Sequence, residues 1–385
     1  MTVGATPIVP PATIGMLGGG QLGRYALIAA RVMGFRTMVL EPDPAAPAGA
    51  VADVHLVADY DDPAALRELG DACAVVTTEF ENPPAVAVEA LSRRTLVAPS
   101  AAAVAVAQDR IAEKAFLLDA GLPVGPYAVV DRSDADPPIE YPAILKTARL
   151  GYDGKGQRRV ADASEMRAAW RLLGSVPCVL ERALPLDLEV SAVVARRADG
   201  GFAAYPVAEN RHVDGVLDLS IVPARVPPRL ADRAVGLAMT IADALDYVGV
   251  LAVEFFVVGG ELFVNELAPR PHNSGHWTLD CSQTSQFEQQ IRAVCGLELG
   301  VTAMTRPAAA MVNLLGDLWD AGTPAWADAV TSTTALHLYG KTAARPGRKM
   351  GHLTAWGAGV DEAEVRALAA RRSAVRTNAN DVSST

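Results

Sequence analysis

The densest set of groups able to do chemistry lies in Asn-Glu-Leu-Ala-Pro-Arg-Pro-His-Asn-Ser-Gly-His-Trp, residues 265–277. Arg270, His272, Asn273 and His276 fall close together behind two prolines, which is crowded for a surface turn. Ahead of them, two apolar runs rich in β-branched and aromatic residues, 250–258 and 261–266, flank Gly259-Gly260, a hairpin signature. A three-residue loop, 259–261, makes Glu254 face Glu266 across the ladder; a two-residue loop puts Glu254 opposite Asn265. Sequence leaves both registers open. Carboxylates directly opposite destabilise a sheet unless a cation sits between them. Oxygen ligands at that spacing suit Mg²⁺, with Mn²⁺ as an alternative, and Mg²⁺ normally shares its shell with nucleotide phosphates. Two solvated acids on an exposed strand face are the competing interpretation.

These groups need a frame. Residues 13–17 read as a buried strand, turned by Gly18-Gly-Gly-Gln-Leu-Gly23 into a helix reaching about Gly34. Strands at 36–41, 54–57 and 74–78, with a helix at 63–70, continue a parallel α/β alternation to about residue 100. Gly18, Gly20 and Gly23 form a G-x-G-x-x-G, and Glu41 ends the second strand where a dinucleotide site would want an acid. The same turn serves any anion at a helix N-terminus. A different phosphate or polar group, with Gln21 as donor, is the expectation adopted. Glu79-Phe-Glu-Asn82 sets two acids at the carboxyl edge of the fourth strand, where such sheets bind ligands.

Residues 101–120 read as one amphipathic helical stretch carrying Asp109, Arg110 and Lys114. Strands near 127–130 and 143–146 then lead to Gly151-Tyr152-Asp153-Gly154-Lys155-Gly156-Gln157. A glycine-rich loop between strands, without Gly-Lys-Ser/Thr, is no Walker loop. It reads as a flap closing over phosphates with backbone N–H groups and Lys155. Strands follow at 179–182, 189–194 and 202–207, with Glu209-Asn-Arg-His212 on a loop. A helix at about 284–295, strands at 308–313 and 336–339, and a helix at 361–372 complete the pass. Between them Lys341, Arg345, Arg348 and Lys349 surround Pro346-Gly347, a basic loop that suits an anion in an acidic chain. Residues 373–385 read as a disordered tail.

The chain has 385 residues, room for two or three domains. Its net charge of −10 argues against a nucleic-acid partner. Cys73, Cys178, Cys281 and Cys295 have no metal-ligand spacing and read as reduced structural thiols. No basic n-region opens the chain and no apolar run of about 18 residues occurs, so neither a secretory signal nor a membrane span is expected. A cytoplasmic protein is the default.

Taken together, residues 18–24, 79–82, 151–157, 265–277 and Arg345-Pro-Gly-Arg-Lys-Met-Gly-His-Leu353 resemble the ATP-grasp superfamily. Within it they are most similar to the bicarbonate-using carbon–nitrogen ligases that act on aminoimidazole ribonucleotide in bacterial purine biosynthesis. The resemblance implies an N-terminal α/β domain over 1–110, an ATP-grasp domain over 111–300 (α+β, its flap subdomain about 121–190) and a small β-rich C-terminal domain over 301–372. It implies that Arg110 and Lys146 contact ATP phosphates beneath the 151–157 flap. Glu181, Arg182, Ala183 and Leu184 line the adenine pocket with main-chain groups, Glu189 binds ribose, and His212 completes the nucleotide site. Glu254 and Glu266 hold Mg²⁺ beside Asn265, and Arg270, His272 and Asn273 surround bicarbonate. Gln21, Lys341 and Arg348 grip the ribonucleotide 5′-phosphate at a site that also includes Glu79, while Tyr152 and Asp153 approach its ring. A homodimer, and transient contact with the mutase that takes the product, are implied as well. Lys155 stands where many relatives carry Arg, and Ala268 where many ATP-grasp ligases place a third metal ligand; the carboxylating branch also lacks that ligand. Two competing readings are a formate-using transformylase, set apart by His272-Asn273-Ser274, and an NAD-dependent oxidoreductase resting on the first glycine loop.

Overall fold

The computed structural model describes residues 6–132, 137–151 and 154–375. The fold is mixed α/β, built on three sheets. The first holds β1 (Thr13–Leu17), β2 (Arg36–Leu40), β3 (Val54–Leu56), β4 (Val75–Thr78) and β5 (Leu96–Val97), all parallel, in the order β3-β2-β1-β4-β5. Crossover helices cover such a sheet, so β1, β2 and β4 are almost wholly buried rather than alternating, threonines included. Order reverses beside β1, and the loops after β1 and β4 open at that switch point.

The flap sheet holds β6 (Tyr127–Val130), β7 (Ala143–Thr147), β8 (Gln157–Val160) and β9 (Cys178–Arg182), antiparallel, in the order β6-β9-β7-β8. The third sheet carries the chemistry: β10 (Leu188–Arg196), β11 (Phe202–Ala204), β12 (Ala208–Val213), β13 (Val216–Val222), β14 (Gly249–Val258), β15 (Glu261–Ala268), β16 (Ala308–Leu315), β17 (Thr334–Leu338) and β18 (Lys349–Gly357). Its order is β15-β14-β10-β12-β13-β16-β18-β17, with β11 beside β10. The last three strands therefore extend the sheet of β10–β15 edge to edge.

One face of that sheet is apolar. Val190, Ala192, Val194, Leu251, Val253 and Phe255 pack on Leu230, Ala234, Ala238 and Ile241 of the helix Pro228–Ala244. Alternation sends Ser191 and Glu254 to the opposite face. Three local expectations change. The 101–120 stretch is two helices, Ala101–Ala107 and Arg110–Asp119, because the Asp109 carboxylate caps the second by accepting from Ile111 and Ala112 N–H. Residues 209–212 lie on β12 rather than on a loop, with a bulge between Arg211 and His212. The last helix, Val360–Ala374, takes up Ser373 and Ala374 from the expected tail, and the rest of that tail beyond Val375 lies outside the described residues. All four cysteines are free and buried, and burial pushes the Cys73 thiol up to about 12.

Candidate active site

The acid pair forms by a route the sequence concealed. The hairpin loop is two residues, Gly259-Gly260, with Val258 paired to Glu261. That register alone would put Asn265 against Glu254. A bulge intervenes: Phe255 pairs with Val264, and Glu254 with Glu266. Two residues, Asn265 and Glu266, thus share one place opposite Glu254. Burial and the facing Glu266 push the Glu254 carboxyl well up. Burial acts on Glu266 too, but Arg110, 2.8 Å away, and Lys146 hold it below the usual carboxylate range. Asn265 Oδ1 is buried with no hydrogen-bond partner among the described residues. Two facing carboxylates and an orphaned amide oxygen form an all-oxygen donor set that fits Mg²⁺.

Cations ring this pair. Lys146 on β7 meets Glu181 at 2.6 Å, and Lys114 meets the same carboxylate at 3.2 Å. Burial raises Glu181, yet the two lysines outweigh it and bring the group to about 2. Lys114 Nζ also donates to Asn265 O at 3.0 Å, tying the helix Arg110–Asp119 to the bulge. Glu189 and His212, on β10 and β12, are 2.9 Å apart. Burial opposes protonation of His212, but Glu189 and Glu254 raise it overall. In the 181–184 segment, Arg182 and Ala183 N–H donate to Pro126 O and Pro142 O, so those two groups are engaged within the fold. The flap follows β7, with Gly154 and Gly156 at positive φ. A Cβ on Gly154 would lie 2.5 Å from Asp214 O, so the flap tip rests on the turn between β12 and β13. Tyr152 and Asp153 lie outside the described residues.

Beyond the acid pair, the chain leaves β15 and passes Arg270, which forms an ion pair with Glu81. His272 Nε2 lies 3.4 Å from Glu254 Oε1. Burial, then the charges of Arg270 and Lys349, keep His272 neutral. Asn273 is buried, and among the described residues neither its amide nitrogen nor its oxygen has a partner.

The first glycine loop is already occupied. Glu79 accepts from Gly20 N–H and, at 2.8 Å, from Gly23 N–H; Glu41 accepts from Gly19 N–H at 2.7 Å. A Cβ on Gly20 would lie 2.5 Å from Glu79 Oε1. The glycines admit the chain's own carboxylates where a dinucleotide would set its pyrophosphate, which removes the basis of the oxidoreductase reading. Gln21 opens the helix Gln21–Val32, whose Tyr25 packs edge-on against Tyr339 just before the basic loop. In that loop Lys341 Nζ donates to Lys349 O at 2.7 Å, and Arg348 to Ala343 O at 2.8 Å.

The structure thus gathers Arg110, Lys146, Glu181, Glu189, His212, Glu254, Asn265, Glu266, Arg270, His272 and Asn273 around one face of the third sheet. Three further residues, noted in the sequence but given no role beside the acid pair, contribute here. Lys114 stands one helical turn after Arg110, a spacing that could have revealed it. Glu81 anchors Arg270. Lys349 begins β18, and its charge acts on Glu254 and His272.

A family model of the ATP-grasp domain matches residues 115–287, and one of the ribonucleotide synthetase preATP-grasp domain matches 11–108. Fold and site define an ATP-grasp protein. A model of the phosphoribosylaminoimidazole carboxylase C-terminal domain matches residues 309–366. The N5-carboxyaminoimidazole ribonucleotide synthase of Brucella melitensis is 45% identical over 356 residues, covering 91% of this chain and 97% of that protein. A solved ADP complex of an N5-carboxyaminoimidazole ribonucleotide synthetase has a TM-score of 0.88 at 39% identity, covering 95% of this chain and 98% of that one. The Aspergillus clavatus enzyme in complex with ADP and 5-aminoimidazole ribonucleotide gives 0.81 at 26%, covering 94% and 98%. The chain belongs to the N5-carboxyaminoimidazole ribonucleotide synthase family.

Proposed function

We propose that the protein uses ATP and bicarbonate to carboxylate the exocyclic amine of 5-aminoimidazole ribonucleotide, releasing ADP and phosphate. The observation that carries this reading is Asn273, a buried amide with both polar atoms unpartnered among the described residues, next in the chain to His272, whose ring faces Glu254. A buried amide without partners is costly, of the order of 1–3 kcal/mol. A small planar anion carrying both donor and acceptor oxygens, as bicarbonate does, satisfies it.

Lys146 and Arg110 steady the ATP phosphates, and the 151–157 flap covers them. Glu254 and Glu266 would hold Mg²⁺, which when bound would neutralise charge on the transferring phosphoryl group. Arg270 and Asn273 hold bicarbonate in line with the γ-phosphate, so that its oxygen forms the new P–O bond as the bond to ADP breaks. The resulting carboxyphosphate, or CO₂ released from it, meets the amine of a ribonucleotide gripped through its 5′-phosphate by Lys341, Arg348 and Gln21. Carbon–nitrogen bond formation releases phosphate and the amine proton. Carboxyphosphate hydrolyses readily, which gives flap closure its chemical purpose. Cytoplasmic location, a homodimer and a transient contact with the product-consuming mutase belong to the same proposal and are supported by the family resemblance.

ADP release tests the reading. Turnover is expected to be fast only when ATP, bicarbonate and aminoimidazole ribonucleotide are all present. Equal turnover with glycinamide ribonucleotide and formate would move the protein to the transformylase branch.

A further inference from the structure

A row of buried polar side chains crosses the third sheet beneath the 3₁₀ turn Asn273–Gly275. Glu254 on β14 pairs in register with Ser191 on β10, and Asn210 on β12 pairs with Ser220 on β13. These four positions share one face, where a sheet interior would ordinarily carry apolar residues. Ser191, Asn210, Ser220 and Ser274 are all at most 6% exposed.

Their hydrogen bonds run in one direction. Ser220 Oγ donates to Asn210 Oδ1 at 2.8 Å, and Asn210 Nδ2 donates to Ser191 Oγ at 2.9 Å. Ser191 Oγ donates to Ser274 Oγ at 2.8 Å. The Ser274 hydroxyl, having accepted, turns its own hydrogen to His272 Nδ1, 2.8 Å away, and Ser274 N–H approaches the same nitrogen at 3.3 Å. With Nδ1 the acceptor, a neutral ring carries its proton on Nε2, the atom facing Glu254. The backbone N–H of Ser274 can only donate, so it fixes Nδ1 as the acceptor, and a relay ending on that nitrogen sets the Asn210 amide with its oxygen at Ser220 and its nitrogen at Ser191.

We propose that Ser220, Asn210, Ser191 and Ser274 are positioning residues that fix the ring orientation and the Nε2–H tautomer of His272, presenting a donor to the bicarbonate pocket. The donor is the chemistry an oxyanion needs; the flipped ring would present a bare lone pair to it. That His272 borders the bicarbonate pocket rests on the function proposed above. The hydrogen-bond relay to its ring does not.

The test separates the two. Imidazole ¹⁵N spectra of the full-length protein, with the His272 signals assigned through a His272→Gln variant, should show one ring state with protonated Nε2 and hydrogen-bonded Nδ1. Ser274→Ala should shift the Nδ1 signal and bring a second ring state into exchange; Ser191→Ala should shift it less, and Ser220→Ala least. In kinetics, Ser274→Ala and Ser191→Ala should lower kcat about tenfold or more, with the KM for ATP unchanged. Circular dichroism checks folding, and Ser191→Thr, which restores a hydroxyl, should recover the parent spectrum. An unchanged Nδ1 signal in folded Ser274→Ala and Ser191→Ala proteins would overturn the proposal. If the spectra respond but His272→Gln retains full turnover, the relay stands and the bicarbonate role of His272 falls.

Discussion

Glu266 serves two partners at once: its carboxylate pairs with Arg110 at 2.8 Å and faces Glu254 across the ladder. Glu266→Gln keeps the size and hydrogen-bonding capacity of the side chain while removing one of the two charges available to Mg²⁺. Turnover is expected to fall by about a hundredfold or more at saturating Mg²⁺, with the circular dichroism spectrum unchanged. Activity within about threefold of the parent, a loss under about 0.7 kcal/mol, would remove the facing acids from the metal site. At this scale the sequence was readable where groups cluster along the chain, as from Asn265 to His276. It was silent where groups meet only through folding. Nothing near Ser191 or Ser220 marks them, because a polar residue alternating with apolar ones is equally consistent with a solvated strand face, and Asn210 lies in the polar run 209–212, which reads as a loop.

Elements set these meetings. Gly259-Gly260 announced the hairpin, but the bulge that brings Glu266 opposite Glu254 has no local signature: it appears only when the two-residue loop and the pairing of the acids must both hold. Strand β9 shows a second case, since it carries Glu181 between Lys146 on β7 and Lys114 on a neighbouring helix. The Glu181 pKa lies at about 2, below its usual 4.5, so the stability it contributes is fully present above pH 4.5 and is lost as pH falls toward 2. Glu181→Gln leaves two buried lysines without their carboxylate and should destabilise the protein by about 3–5 kcal/mol at pH 7. Urea midpoints should differ clearly at neutral pH, and the gap should narrow only below pH 4.5. A gap that is absent at pH 7, or constant across the acid range, would show that Glu181 does not tie these elements together.

Across the whole molecule, the parallel alternation and the strands flanking the glycine-rich segment 151–157 were each legible, because each has its own residue pattern. The continuity of the third sheet was not: β16 joins β13 through a pairing far apart in sequence. The proposed function puts two anion-binding regions beside that sheet, one at Lys146 and the 151–157 segment, the other at the basic loop that leads into β18, near the helix Gln21–Val32. Lys341→Ala and Arg348→Ala each remove a charge-assisted contact of roughly 1.5–3 kcal/mol. Each should raise the KM for the ribonucleotide about ten- to a hundredfold, with little change in the KM for ATP. A rise confined to ATP would place the loop over the nucleotide instead. The central claim is that bicarbonate attacks ATP in a pocket shared by both regions, and the fate of one oxygen atom tests it most directly. With ¹⁸O-labelled bicarbonate and unlabelled water, ATP and ribonucleotide, attack on the γ-phosphate followed by carboxyl transfer must leave one bicarbonate oxygen on the released phosphate. Phosphorus NMR or mass spectrometry of that phosphate should therefore find a single ¹⁸O per turnover. Phosphate carrying only unlabelled oxygen would mean that bicarbonate never met the γ-phosphate, and would contradict the account.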